Sequence, residues 1–276
     1  MRTRAFAKIN LGLVVGPARP DGKHELATVL ERVDLHDVVE IEQVAQPGIE
    51  VEGFAEDTLV RRALARFDDA RHSESGWRAS IEKHIPVSSG LGGGSSDAAA
   101  ALRVANELTG SLLSAHELHE IAAEIGSDVP FFLTAGGKLA TGDGTRLESF
   151  ALPQDYWVVL ALARVAHKES TGTVYGLIDD AAPGGFETRL RALRDALAVL
   201  SEPTGLAELP RNDLATIAGS SSLIPELAAL GAFRADMSGA GPTVYGLFER
   251  ENDASRAERE LRRVARTWLA RPVPGP

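Results

Sequence analysis

The sequence predicts an α+β fold of two domains enclosing one cleft. Three observations carry this. Segments with strand and helix periodicity are interleaved without strict alternation. A chain of 276 residues is long enough to bury two cores. The Leu152-Pro153 pair then offers a place where the chain changes domain, giving expected domains at 1–152 and 153–276.

The elements follow in order. From Phe6 to Val15 the chain alternates: Ala7, Ile9, Leu11 and Leu13 share one face, and Lys8, Asn10 and Gly12 the other. A period of two predicts a half-buried strand. Further strands are expected at 26–33, 37–44 and 77–84. Between the last two, Leu59, Val60, Ala63, Leu64 and Phe67 recur at helical spacing. A helix is expected over 96–108, stopped by Thr109-Gly110. The next opens on Ser114 with Glu117 three residues on, a capping box, and ends at Gly126. Gly142-Asp143-Gly144 predicts a hairpin turn. In the second half a strand is expected at 156–163. Helices are expected at 171–178, 186–200, 212–218 and 254–269, and strands at 232–237 and 243–248. On the last helix, Arg256 with Glu260 and Glu258 with Arg262 are spaced as i to i+4 ion pairs.

Composition narrows the function. There is no cysteine, so disulfides, cysteine-held iron–sulfur clusters and thiolate zinc sites are excluded. Lys plus Arg number 29 against 39 Asp plus Glu, a formal charge of −10, which argues against coating nucleic acid or a membrane surface. Lys8 and Asn10 interrupt the apolar run that a signal peptide would need, and the run 156–165 carries Arg164. A cytoplasmic protein acting on a small molecule is expected, with no nucleic-acid or membrane partner, as a monomer or homodimer. His116-Glu-Leu-His119-Glu is not the H-E-x-x-H zinc pattern and reads as a solvated helix face.

Glycine is the outlier, 27 residues, nearly a tenth of the chain, against about 7% in typical usage. Four of them punctuate Pro86-Val-Ser-Ser-Gly90-Leu91-Gly92-Gly93-Gly94-Ser95-Ser96-Asp97. This stretch runs straight into an alanine-rich helix. Backbone N–H groups that converge without Cβ interference, feeding a helix N-terminus, make an anion site. It is not a Walker P-loop, since the lysine is missing, nor a dinucleotide fingerprint, nor a nucleophile elbow. Taken alone, other residues leave two readings open. Asp128 reads as a turn or N-cap aspartate or as a site residue. Lys8 reads as an edge lysine or a site lysine. Ser95 and Ser96 suit capping or ligand binding, and Gly239-Ala240-Gly241 reads as a β-turn or a second site turn.

Pro86 through Ala98 resembles the phosphate loop of the GHMP kinases. Four more stretches fit one branch of that family, in its order and across nearly the whole chain: Ala7-Lys8-Ile9-Asn10-Leu11, residues 19–25, 126–132 and 237–244. The resemblance implies a ribosomal protein S5 domain 2-like N-terminal domain and a ferredoxin-like α/β C-terminal domain. It implies transfer of the ATP γ-phosphate, with Mg²⁺, to the 2-hydroxyl of a cytidine-diphospho-methylerythritol substrate. The alternatives are another small-molecule kinase of the family, of the mevalonate or homoserine type, or a non-catalytic ligand sensor on the same fold. By resemblance Lys8 and Asp128 are the catalytic pair. Pro86, Gly90, Leu91, Gly92, Gly93, Gly94, Ser95 and Ser96 hold ATP. Asn10, Lys23, His24, Tyr175, Gly239, Ala240 and Gly241 meet the acceptor substrate, and metal ligands are left unassigned. Two positions depart from the family pattern: Lys23 stands where a tyrosine normally stacks on cytosine, and Thr58 stands where an asparagine is usual, which weakens any carry-over of adenine contacts.

Overall fold

The computed structural model describes residues 1–54, 58–73, 75–164, 185–217 and 221–275. Elements are numbered among these. The first half is a six-stranded sheet: β1 (Arg2–Ala18), β2 (His24–Val44), β3 (Gly48–Glu52), β4 (Gly76–Glu82), β5 (Gly137–Gly142) and β6 (Arg146–Phe150). β2 is its spine. β1 lies along one edge of β2, and β4 and β5 share the other. The expected strands 26–33 and 37–44 are therefore one strand, because both halves find partners. Helices α1 (Leu59–Ala70), α2 (Gly93–Leu108) and α3 (Ala115–Ile125) cover the sheet and bury Val60, Leu64, Phe67, Trp77, Leu102 and Ile121 in one core. The capping box at Ser114 and Glu117 is formed as expected. A single turn, α4 (Val129–Phe132), follows α3.

The second half is a four-stranded antiparallel sheet in the order β10–β7–β9–β8: β7 (Trp157–Ala163), β8 (Arg234–Met237), β9 (Val244–Phe248) and β10 (Ala265–Ala270). Its helices are α5 (Phe186–Ala198), α6 (Asp213–Ile217), α7 (Leu223–Ala229) and α8 (Glu251–Leu261). A second core joins the two halves, with Ile9, Leu11 and Val29 of the first sheet packed with Tyr156, just before β7, and with Val158, Leu160 and Tyr245 of the second sheet. No helix among the described residues is long and apolar enough to cross a membrane.

Further expectations change. The segment expected as one helix over 254–269 is α8 followed by β10. Residues from Ala265 on pair along β7, where Thr267 and Trp268 suit a strand, and that pairing outweighs continued helix. Glu258 ties the two together, accepting from Arg262 Nε at 2.6 Å and Thr267 Oγ1 at 2.6 Å. Arg256 pairs with Asp253 rather than Glu260. The strand at the N-terminus is also not half-buried: Ala7 to Val15 are buried on both faces. A bulge between Asn10 and Gly12 reverses the alternation, so Leu13 joins the face of Lys8 and Asn10 while Val14 enters the core with Leu11. The helix expected at 171–178 lies outside the described residues.

Mid-β2, Glu31 is fully buried on the side facing the second half. It accepts from Gln154 Nε2 and from the Arg32 N–H, both at 3.1 Å. Burial, only partly offset by these bonds, pushes its carboxyl up to about 7 from 4.5. A raised carboxyl means that the folded chain holds a proton the unfolded chain has released. Stability is therefore full below about pH 4.5 and falls as pH rises towards 7. The shift corresponds to about 3 kcal/mol above pH 7. Glu31→Gln carries no charge at any pH, so in urea melts it should match the parent chain at pH 4 and exceed it at pH 8. A gap that does not widen between those two pH values would sink this reading.

Candidate active site

β1 carries the first two site residues. Lys8 and Asn10 project from the same face, 4% and 3% exposed. Lys8 Nζ donates to Asn10 Oδ1 at 2.7 Å and lies 3.4 Å from Asp128 Oδ2. Asn10 is fixed in turn: its Nδ2 donates to Thr28 Oγ1 at 2.8 Å, and that hydroxyl donates to Gly12 O at 2.8 Å. Asp128 stands just before α4, yet its side chain makes no capping bond. The carboxylate is turned to Lys8 instead, so Asp128 does not serve as a side-chain N-cap.

The glycine stretch forms the adjoining wall. Leu91 is core, fully buried, and its carbonyl accepts the Lys8 N–H at 2.9 Å, stitching the loop to β1. Gly92, left-handed at φ 71°, turns the chain into α2, three residues before the expected start. The first amides of that helix have no acceptor within it and face the loop. Gly90, Gly92 and Ser95 line the cavity, whereas Pro86, Leu91, Gly93, Gly94 and Ser96 are not on its wall. Asp97 turns away, 2.7 Å from Lys83, which also contacts Asp37. Burial, against the pull of Lys83, pushes the Asp97 carboxyl up.

The second glycine turn comes from the other half of the molecule, between β8 and β9. Ser238 Oγ lies 3.0 Å from Gly90 O and 3.4 Å from Asn10 Oδ1, and Thr243 N–H donates to Ser89 O at 3.1 Å. Asn212 Nδ2 holds the turn by donating to Met237 O and Gly239 O at 2.8 and 2.7 Å. Gly239 and Ala240 line the cavity and Gly241 does not.

These walls enclose a cavity of about 580 Å³, a size suited to a small molecule. At its far side stand Lys23, His24 and Asp143. His24 is nearly buried, with Nδ1 3.1 Å from Gly16 O. Lys23 is held by Asp143 Oδ2 at 3.2 Å, across from one hairpin tip to the next. Asp143 also accepts from Thr145 Oγ1 at 2.7 Å. Tyr175 lies outside the described residues. Sequence reasoning missed Thr28, Asn212 and Asp143. Of these only Asp143, inside a predicted turn, had any local signal.

The comparisons fit this arrangement. The model of the GHMP kinases N terminal domain matches residues 58–136, and that of the GHMP kinases C terminal matches 188–267. A 4-diphosphocytidyl-2-C-methyl-D-erythritol kinase of Exiguobacterium sibiricum is 38% identical over 94% of this chain and 93% of its own. A crystal structure of 4-(cytidine 5'-diphospho)-2C-methyl-D-erythritol kinase is 33% identical, with a TM-score of 0.82 over all of both chains. The mevalonate kinase of Methanococcus jannaschii superposes with a TM-score of 0.76 over 99% of this chain and 98% of its own, at 14% identity, a likeness of fold alone.

Proposed function

The chain belongs to the GHMP kinases, and from that premise we propose that it transfers the γ-phosphate of ATP to the 2-hydroxyl of 4-diphosphocytidyl-2-C-methyl-D-erythritol. The observation that carries the chemistry is the Lys8–Asp128 pair, 3.4 Å apart on the cavity wall beside the glycine loop. Phosphoryl transfer asks mostly for positioning and charge neutralisation. The loop amides and the Ser95 hydroxyl bind the nucleotide phosphates. Asp128 orients the acceptor hydroxyl and takes its proton as the new O–P bond forms and the bond from the γ-phosphorus to ADP breaks. Lys8 faces the transferring group and offsets its charge. Asn10 holds Lys8 in place, and Gly239 and Ala240 close the site over the acceptor.

Mg²⁺ fits this donor set. Among the described residues no cage of three or more His, Asp or Glu side chains exists, but Mg²⁺ dehydrates reluctantly and is commonly held through substrate phosphates and water with few protein ligands. The Ser95 hydroxyl on the cavity wall would hold it with the ATP phosphates, and it would neutralise phosphate charge. Lys23 brings a cation rather than a ring to the cytidine end. With Asp143 fixing it, its ammonium suits the substrate diphosphate. The two halves are taken as functional domains at 1–152 and 153–276.

Residues 21–25 with the Asp128-Val129-Pro130 sequence disfavour the mevalonate and homoserine readings, and the joint presence of Lys8 and Asp128 disfavours a sensor. ADP release measured with each candidate acceptor tests this. Turnover is expected with the cytidine-diphospho substrate alone. Turnover with only mevalonate or homoserine overturns the substrate assignment, and tight ATP binding with no turnover on any acceptor favours the sensor.

A further inference from the structure

Arg32 is a charged residue in the middle of β2 that is 1% exposed. It is the register partner of Lys8 on β1, so the two cations stand side by side on one face of the sheet. α4 lies over that face. Lys8 meets Asp128 at the N-terminal end of this single turn. The Arg32 guanidinium meets the other end. It donates to Phe131 O at 2.5 Å, to Thr134 O, and to Gly136 O at 3.4 Å. It also stacks over the Phe131 ring, 4.3 Å from the centroid. The segment after β10 covers it: Val273 N–H donates to Arg32 O at 3.2 Å, and Gly136 N–H donates to Pro274 O at 2.6 Å. Gly275 packs so closely that a Cβ there would fall 2.7 Å from Arg32 Nη1.

Burying a guanidinium is costly, and apolar residues of similar volume usually serve stability as well or better. Here the charge-assisted bonds go to main-chain carbonyls at the end of one helical turn, the end that favours a cation. A lone turn has little stability of its own. Gripped at both ends by neighbouring strands, it has one place to sit. We infer that Arg32 is a positioning residue for the reaction, holding the Asp128 carboxylate against Lys8 by fixing the far end of α4. This rests on the reading of Asp128 given above. A displacement of about 1 Å in a reacting group can cost about 100-fold in rate, so Arg32 acts on turnover without touching substrate.

The experiment is a double-mutant cycle. Arg32→Met is expected to lower kcat roughly 10- to 100-fold, with both KM values changed less than about threefold. In an Asp128→Asn background, measured in long incubations, the same substitution should cost less than about threefold, since the group it positions is already gone. Arg32→Lys, run through the same cycle, should show a smaller loss that also vanishes beside Asp128→Asn. It decides the matter if Arg32→Met does not fold. Equal losses in both backgrounds, or no loss in the folded Arg32 variants, overturn the inference. If instead Asp128→Asn alone leaves kcat intact, the reading of Asp128 fails and the two failures are distinguished.

Discussion

Asp128→Asn should lower kcat by about 10²- to 10⁴-fold while ATP binding, measured by calorimetry, stays within about threefold. The substitution keeps the shape of the side chain and an oxygen for Lys8 at 3.4 Å. It removes the charge and the capacity to take a proton. Because the carboxylate makes no capping bond, no helix end is undone, and because the side chain is 38% exposed, little burial energy is at stake. Lys8 keeps its 2.7 Å bond to Asn10. On the proposed reading the nucleotide phosphates meet the glycine loop on another wall, so affinity for ATP would be set there. The expected signature is thus a fall in kcat and kcat/KM together, the mark of an interaction made in the transition state. A kcat within threefold of the parent chain would remove Asp128 from the chemistry.

What the sequence revealed of this site was its local chemistry, and what it hid was decided by distant partners. The glycine stretch and the capping box are short-range patterns: the box forms where read, and the stretch does open a helix, though three residues early. Lys8 and Asn10 share a face by simple alternation. Leu13 was assigned to the wrong face because the bulge after Asn10 depends on registration with β2, sixteen or more residues on. The segment 254–269 carries charge at helical spacing, and only the open edge of β7 turns its last residues into a strand. Asp128 was ambiguous for a related reason: an aspartate before Val-Pro-Phe is locally an N-cap, and only the sheet beneath supplies Lys8. Arg32 gave no signal at all. A charged residue in an alternating strand reads as solvent-facing, and nothing nearby announces that α4 will cover it.

Gly90→Ala should disable nucleotide use by a different route, lowering kcat/KM for ATP about 100-fold. Gly90 is left-handed at φ 83°, and a Cβ there would sit 2.3 Å from Ser238 O and 3.1 Å from Gly241 O. Those are main-chain atoms of the second glycine turn, and they cannot yield as the tip of a flexible side chain can. The loop must therefore move off the turn, at the expense of the Ser238–Gly90 and Thr243–Ser89 bonds of 3.0 and 3.1 Å. Leu91, whose carbonyl holds the Lys8 N–H at 2.9 Å, would shift with it, so the glycine-loop wall of the cavity and Lys8 would be displaced together. Gly110 provides the control. Its φ is 86°, yet a Cβ there would meet nothing within 4 Å. Gly110→Ala carries the same left-handed strain, about 1 kcal/mol, and no clash, so it should lower stability slightly and leave the ATP parameters unchanged. Parallel steady-state kinetics and urea melts on the two variants separate strain from contact. If both lose stability alike and neither changes kcat/KM for ATP, the contact between the two glycine turns does not shape the nucleotide site. If only Gly90→Ala loses activity, the site depends on a seam between the two halves of the chain, closed by residues about 150 positions apart.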